Sequence, residues 1–165
     1  MKLVEPKHPA LHTEANINPF ETDIDWTHRE QEMFQLMHDK IGIGLAAPQV
    51  GDSYRMFVMT HSTKGDLGIY NPVIIATSEK HVTMEEGCLS FPLLFLHLTR
   101  PAEIMVKYQT VDQETVEESL KGLDARVFLH EHEHLTGKTY LDNASDLKLQ
   151  RAMKQREKAF KRLGI

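Results

Sequence analysis

The chain has 165 residues, 26% of them charged, and a formal net charge of −5 at neutral pH. This length fits a single domain, residues 1–165, that buries a substantial core without disulfides. The one cysteine, Cys88, cannot form an intramolecular disulfide, so nothing requires an oxidising compartment. No apolar run approaches the ~20 residues of a membrane span, and the charged first five residues do not resemble a secretory signal. The sequence therefore predicts a cytoplasmic protein that binds neither a membrane nor a specific nucleic-acid sequence.

The first predicted helix opens at Thr27, which forms a capping-box pattern with Glu30. Its apolar residues recur at helical spacings and are Met33, Leu36, Met37 and Ile41. Ordinary core packing explains this stripe better than a ligand site does. The next segment, residues 42–49, contains two closely spaced glycines, which indicate a turn or a close approach of the backbone. A phosphate-binding loop is disfavoured, because the segment lacks both G-x-G-x-x-G and the lysine of a P-loop.

Strand-like stretches occupy residues 54–60, 69–76 and 104–109, the last with alternating apolar residues. Pro72 predicts that the second stretch is an edge strand or an interrupted one, because proline donates no hydrogen bond to a ladder. A histidine-rich helix follows, and a final helix is predicted at about 147–163. The order helix, strands, helix, helix favours an α+β fold over a parallel α/β sheet.

The histidine-rich helix carries the sequence HEHEH from His130 to His134. Residues four apart share one face of a helix, so His130 and His134 can bind one metal ion while the histidine between them points away. The five residues satisfy both H-E-x-x-H and the inverted pattern H-x-x-E-H. Helix geometry therefore leaves open whether Glu131 or Glu133 is the general base. The motif alone is equally compatible with a solvated, charged helix face.

The context of the motif favours metal chemistry. Apolar residues at helical spacings predict that one side of the helix is buried, and Gly137 stands where a helix stop is expected. Two imidazoles leave a catalytic metal site short of one protein ligand. Cys88 can supply that third ligand, although a free cysteine is often only a small buried hydrophobic residue.

Three segments of the chain resemble the three signature boxes of the peptide deformylases. They are GIGLAAPQ at residues 42–49, EGCLS at 86–90 and LHEHEHLTG at 129–137, and they occur in the order found in that family. The resemblance also includes PAL at 9–11, RP at 100–101 and ARV at 125–127. It covers about residues 5–142, and the three boxes together are highly specific.

The resemblance implies a role for each of a small set of residues. The implied metal ligands are Cys88, His130 and His134. Glu131 is the implied general acid and base, which decides against Glu133, and Gln49 with the backbone N–H of Leu89 would stabilise the oxyanion. The implied substrate-binding residues are Ile43, Gly44, Met84, Gly87, Leu123 and Val127.

Two positions depart from the pattern of the family. Leu129 stands where a glutamine is usual, and Glu133 replaces the usual aspartate. Neither is a presumed ligand or the presumed base, so both are expected to tune the metal preference and the rate.

The resemblance implies a central metal-binding helix surrounded by antiparallel strands, with N-terminal and C-terminal helices. It also implies removal of the N-formyl group from the formylmethionine of nascent polypeptides, with release of formate. The implied cofactor is one divalent ion, Fe(II) in the cell, although a Cys/His/His set also accepts Zn(II), Ni(II) or Co(II). Bacterial, organellar and phage-encoded proteins would share these boxes. The alternatives are a catalytically weak peptide-binding relative and a metalloprotease that cuts internal bonds.

Positive charge is concentrated at the C-terminus. Residues 146–165 hold seven Lys or Arg and two Asp or Glu, which leaves a net charge of about −10 for the rest of the chain. The apolar stripe of the predicted helix should dock on the body and comprises Leu149, Met153, Phe160 and Leu163. The lysines expected to be exposed are Lys148, Lys154, Lys158 and Lys161. A solvated charged face explains them best, and the resemblance adds a contact with the ribosome.

Overall fold

The computed structural model describes residues 1–164; Ile165, the last residue of the predicted domain, lies outside them. The α-helices of this part are α1 (Trp26–Asp39), α2 (Gly122–Leu135) and α3 (Asp146–Leu163). The strands are β1 (Gly44–Ala46), β2 (Met56–His61), β3 (Gly65–Thr77), β4 (His81–Cys88), β5 (Phe91–Pro101), β6 (Glu103–Gln109) and β7 (Thr115–Lys121). Short 3-10 helices occupy Pro9–His12, Pro19–Glu21, Ala47–Val50 and Tyr140–Asn143.

The strands form two antiparallel sheets. Five of them pair in the order β1-β2-β3-β6-β7, and β4 pairs with β5 in a separate hairpin. The predicted α+β class is confirmed. The short strand β1 lies at the edge of the larger sheet, with β2 on one side only. Within the described residues, no helix is long and apolar enough to cross a membrane.

Helix α1 differs from its prediction at both ends. It begins at Trp26, and the side chain of Asp25 accepts the backbone N–H of His28, so the predicted cap at Thr27 is wrong. Met33, Leu36 and Met37 are buried as expected. Ile41 lies beyond the helix with a φ of 57° and is 94% exposed, so it does not belong to the apolar stripe.

Of the seven strands, the three predicted from residue patterns are present as β2, β3 and β6. The residue patterns did not predict the other four, which are β4, β5, β7 and the short β1 within residues 42–49. Pro72 interrupts the register between Tyr70 and Val73, and Asn71 has a φ of 47°. The strand is interrupted as predicted, but it lies inside the sheet between β2 and β6 and is not an edge.

Helix α2 contacts both sheets. The ring of Phe128 packs edge-on against Phe57 of β2, with centroids 5.1 Å apart, and lies 6.5 Å from Tyr108 of β6. Full burial of such a side chain contributes about 2–3 kcal/mol. On the other side, Arg126 donates to the carbonyl oxygens of Leu98 and Val82 in the β4–β5 hairpin, at 2.9 and 2.7 Å. These contacts fix the helix that carries the histidines.

Helix α3 docks on β5 through Ala152 and only part of the predicted stripe. Ser145 caps its N-terminus, and Ala152 is buried in a cluster with Tyr140 and the apolar side chains of β5. Leu149 and Phe160 of the predicted stripe are partly buried. Met153 and Leu163 are 47% and 55% exposed, so their expected docking is wrong. Small Ala152 allows the helix to approach β5 closely, and the longer side chains beside it remain in solvent.

Candidate active site

Three side chains converge where α2 faces the end of β4. Cys88 is the last residue of β4, and His130 and His134 project from one face of α2. One ligand atom from each lies within 4.8 Å of the other two, and Cys88 Sγ is 3.4 Å from His134 Nε2. A tetrahedral ion with bonds of about 2.3 Å to sulfur and about 2.0 Å to nitrogen spaces its donors about 3.3–3.6 Å apart. The three residues therefore fit a divalent metal.

The surroundings of the two histidines also fit a metal. His130 Nδ1 lies 3.0 Å from Glu86 Oε2, which leaves Nε2 for coordination. Burial opposes a charge on His130, but hydrogen bonds with Cys88 and Glu86 raise its pKa to about 10, so this site attracts a positive charge. Burial lowers the pKa of His134 to about 3, which keeps this imidazole neutral and able to bind a metal.

The two acids of the motif have different surroundings. Glu131 is buried and lines the same cavity as Cys88, and its Oε2 has no hydrogen-bond partner among the described residues. Burial, the largest cause, raises its pKa to about 7; His130 opposes the shift and Glu86 adds to it. Glu133 points elsewhere and accepts two hydrogen bonds from Arg100, at 2.6 and 2.9 Å, and two from Asn143. An unpaired buried carboxylate beside the cavity is a candidate proton carrier.

Gln49 is held rigidly beside Cys88. Its Oε1 accepts the backbone N–H of Ala46 at 2.8 Å, which orients the amide within the 3-10 helix. Its Nε2 donates to Ser90 Oγ at 3.1 Å and lies 3.4 Å from Cys88 Sγ. Ser90 belongs to the EGCLS segment but was assigned no role from the sequence. Leu89 follows Cys88 at the turn into β5 and also lines the cavity.

A cavity of about 590 Å³ opens beside these residues. Five of the six predicted substrate-binding residues line it, namely Ile43, Gly44, Gly87, Leu123 and Val127. Met84 is not among the lining residues; it lies on β4 opposite Leu98. The cavity thus joins Cys88 and His130 of the Cys/His/His group, Glu131 and Gln49 to a largely apolar wall.

The whole arrangement can be compared with known proteins. The family model described as Polypeptide deformylase matches residues 1–150 of the chain. The chain belongs to the polypeptide deformylase family. The members of this family are enzymes, so the prediction of a metal-binding hydrolase of protein biosynthesis is confirmed.

Individual relatives agree with this assignment. The peptide deformylase of Thermotoga maritima is 45% identical over 118 residues, which cover 72% of this chain and 71% of the relative. The crystal structure of a peptide deformylase from Legionella pneumophila matches with a TM-score of 0.86 and 32% identity, covering 99% of this chain and 96% of that one. The peptide deformylase 1B, chloroplastic, of Oryza sativa is 35% identical over 150 residues, covering 88% of this chain and 55% of the relative.

In this member of the deformylase family, a buried network of charges supports the ligands. Glu86 accepts hydrogen bonds from Arg100 Nε at 2.6 Å and from Arg126 Nη1 at 2.7 Å, besides its contact with His130. Burial alone would raise the pKa of Glu86, but its bonds with His130, Arg100 and Arg126 lower it to about 2. Sequence reasoning missed this network, although Glu86, Arg100 and Arg126 all lie in the segments that carry the family resemblance. Such contacts orient metal ligands and tune their affinity.

Glycines let the backbone approach the deformylase site. A Cβ on Gly44 would lie 2.8 Å from Glu131 Cδ, and one on Gly42 would lie 2.8 Å from a methyl carbon of Leu89. A side chain at Gly44 would therefore displace Glu131. These contacts leave the main chain of residues 42–44 at the wall of the cavity, in the segment that runs into the edge strand β1.

Proposed function

We propose that the chain is a metal-dependent peptide deformylase. It hydrolyses the N-formyl group of the N-terminal formylmethionine of nascent polypeptides and releases formate. The observation that carries this proposal is a cavity lined by Cys88, His130 and the buried Glu131, whose Oε2 has no hydrogen-bond partner among the described residues. Cys88 and His130 form a cluster with His134 that fits a metal. Residues 1–165 would act as a single deformylase domain.

Cys88, His130 and His134 would hold the metal. When bound, a divalent ion supplies Lewis-acid chemistry and makes hydroxide available near neutral pH. We expect Fe(II) in the cell, with Zn(II), Ni(II) or Co(II) as substitutes, because a set of one thiolate and two imidazoles does not select among these ions by affinity alone. The Glu86 contact holds the His130 ring so that Nε2 faces Cys88.

Glu131 would move the proton in the reaction. With a pKa of about 7, its carboxylate can accept a proton from the attacking water and then donate it to the leaving amine. Glu133 is unsuited to this role because both of its oxygens accept hydrogen bonds from Arg100 and Asn143. The contacts support the assignment that the family resemblance implies.

Gln49 and the backbone N–H of Leu89 would stabilise the negative oxygen that develops on the formyl carbon. The Gln49 amide is already fixed through Ala46 and Ser90, so it loses little further freedom when its Nε2 donates to substrate. Preorganised donors of this kind lower a barrier by about 3–4 kcal/mol each.

The peptide would bind as an added strand along the free edge of β1. The carbonyl of Ile43 already accepts the N–H of Thr60, so by alternation the groups of Gly44 face the open edge. Main-chain pairing recognises any peptide, and side-chain pockets then add specificity. Ile43, Leu123 and Val127 line the cavity and form an apolar pocket for the unbranched methionine side chain.

The partners follow from this reaction. The substrates are nascent N-formylmethionyl peptides in the cytosol of a cell or the equivalent compartment of an organelle. The exposed basic face of α3, with Lys154, Lys158 and Lys161, is a candidate contact with the ribosome, where these chains emerge.

One assay separates this function from its alternatives. The protein, reconstituted with Ni(II) or Fe(II), is incubated with formyl-Met-Ala-Ser and with an unblocked peptide. Stoichiometric formate release with an intact unblocked peptide is the expected result. Internal cleavage of the unblocked peptide would indicate a metalloprotease. Peptide binding without formate release would indicate a protein that only binds peptides.

A further inference from the structure

A second cavity, of about 310 Å³, lies on the side of α2 that faces away from the metal ligands. His132 lines this cavity, whereas His130 lines the active-site cavity, and no described residue lines both. Its volume is at the lower end of the range for small-molecule sites, about 300–1,000 Å³. Neither this cavity nor the middle histidine of the HEHEH motif has a role in the proposed reaction.

The floor of the second cavity is apolar. It is formed by Ala15 and Leu135, which are 2% and 5% exposed, and by Pro72 and Ile74 of β3. The cavity lies where Pro72 interrupts the pairing of β3 with β6. Such a floor can remove an aliphatic group of a ligand from water.

Arg55 brings a positive charge to this cavity. Burial lowers the pKa of His132, and the charge of Arg55 lowers it further, so the guanidinium lies near this imidazole. Unlike the other arginines that are buried or partly buried, Arg55 has no side-chain hydrogen-bond partner within residues 1–164. The others donate to carboxylates or carbonyl oxygens and are Arg29, Arg100, Arg126 and Arg156.

Glu14 brings a negative charge to the same cavity. Its backbone is held against the end of α2, because it pairs with Thr136 and because the N–H of Ala15 donates to the carbonyl of Leu135 at 2.9 Å. The exposed Glu14 carboxylate forms no ion pair with Arg55 or with any other residue that the structure describes. The two opposite charges therefore stand at separate points of one cavity.

This combination of groups matches the chemistry of an α-amino acid. A guanidinium can bind a carboxylate through two parallel N–H donors, and a carboxylate accepts hydrogen bonds from an ammonium group. The apolar floor suits an aliphatic side chain. A carboxylic acid without an ammonium group would place its charge near the like charge of Glu14, which disfavours it.

We propose that this second cavity binds a free α-amino acid with an aliphatic side chain, whose carboxylate pairs with Arg55 and whose ammonium group pairs with Glu14. The site is separate from the deformylase site, and its occupation does not depend on the proposed reaction.

The test uses the Zn(II)-loaded protein labelled with ¹⁵N, titrated with L-leucine and followed by the backbone amide signals. We expect saturable shifts at Ala15, Arg55 and Thr136, and none at Gly44 or Leu89 of the active site, with a Kd of about 1 mM. Two analogues of leucine each lack one charged group: 4-methylpentanoate lacks the ammonium group, and 3-methylbutylamine lacks the carboxylate. Each should bind at least about tenfold more weakly than leucine.

Two variants separate the two charges. Arg55→Met keeps an unbranched apolar stem and should weaken leucine binding at least about tenfold. Glu14→Gln should weaken leucine binding about threefold and strengthen the binding of 4-methylpentanoate, a change that damage to the fold would not give. The matched control is Arg151→Met on α3, an exposed arginine that lines neither cavity, and it should leave both affinities unchanged.

Three results would overturn this site. They are shifts confined to the active-site cavity, leucine binding that Arg55→Met leaves unchanged, and the absence of saturable shifts at about 50 mM leucine. Equal affinities of leucine and 4-methylpentanoate would overturn the pairing with Glu14 and so the choice of an amino acid. None of these readouts involves formate release, so the failure of this site would leave the deformylase function intact.

Discussion

Replacing Glu86 with glutamine should strongly destabilise the protein. The carboxylate is 4% exposed and accepts hydrogen bonds from Arg100, from Arg126 and from the imidazole of His130. Removing one member of a buried ion pair costs about 3–5 kcal/mol, because the partners stay buried without compensation. The pKa of Glu86, lowered from 4.5 to about 2, corresponds to a contribution of about 3 kcal/mol. We therefore expect Glu86→Gln to lower the free energy of unfolding by about 3–4 kcal/mol at pH 7.

The measurement is urea unfolding of the metal-free protein, since a bound metal would add its own stabilisation. Because the folded pKa of Glu86 is lowered, its contribution is complete above about pH 4.5 and disappears as the pH falls toward 2. The matched control is Glu85→Gln, on the same strand, whose side chain is 58% exposed; it should change the stability by no more than about 0.5 kcal/mol. A loss of less than about 1 kcal/mol for Glu86→Gln would refute the idea that this network holds the site together.

Three further outcomes are expected. Cys88→Ser should bind metal more weakly and lose most formate release. With Cys88 intact, the Fe(II) form should lose activity in air over minutes to hours, whereas the Ni(II) form should keep its activity. Titration of the Cys88 thiol is the second readout. Identical decay of both forms with the thiol still reduced would argue against coordination by Cys88. Glu118→Gln should lower the stability at pH 7 by about 1 kcal/mol: burial tends to raise the pKa of Glu118, but its hydrogen bonds with Lys64 and Tyr108 outweigh burial and hold that pKa below its ordinary value. The stability difference should shrink in urea titrations below about pH 4.5, and a difference independent of pH would exclude this cause. The kcat/KM for formyl-Met peptides should exceed that for formyl-Ala peptides at least tenfold, because each CH₂ group left unburied costs about 0.8 kcal/mol. Equal kcat/KM values for the two would contradict the assignment of the methionine pocket.

Local patterns predicted the elements whose signal is local. Helix α2 was recognised because its apolar residues keep helical spacing and Gly137 stops it; a Cβ on Gly137 would lie 2.9 Å from the backbone of Thr13. Strand β6 was recognised because Ile104, Val106 and Tyr108 alternate, and all three are buried. The two histidine ligands could be predicted because residues four apart on a helix share one face, whatever the rest of the fold does.

The missed elements depend on partners that are distant in sequence. Strands β4 and β7 each carry two adjacent glutamates, and only their pairing with β5 and β6 makes them strands. The cap at Asp25 was missed because Thr27 and Glu30 present a competing pattern two residues later.

Similarly, Glu133 looked like a neutral departure from the family pattern. In the fold its carboxylate accepts hydrogen bonds from Arg100 of β5 and from Asn143, so Glu133 links α2 to β5 and to the segment before α3.

A comparison of Glu131→Gln with Glu133→Gln tests the proposed mechanism most directly. Both substitutions keep the size of the side chain and remove one charge, and they stand on either side of the presumed metal. Formate release from formyl-Met-Ala-Ser and the metal content of each variant are measured on the same preparations. We predict that Glu131→Gln retains its metal and loses at least about 99% of the turnover, whereas Glu133→Gln retains most of its turnover and is less stable. Comparable losses of turnover with unchanged metal content would contradict the assignment of Glu131 as the proton carrier.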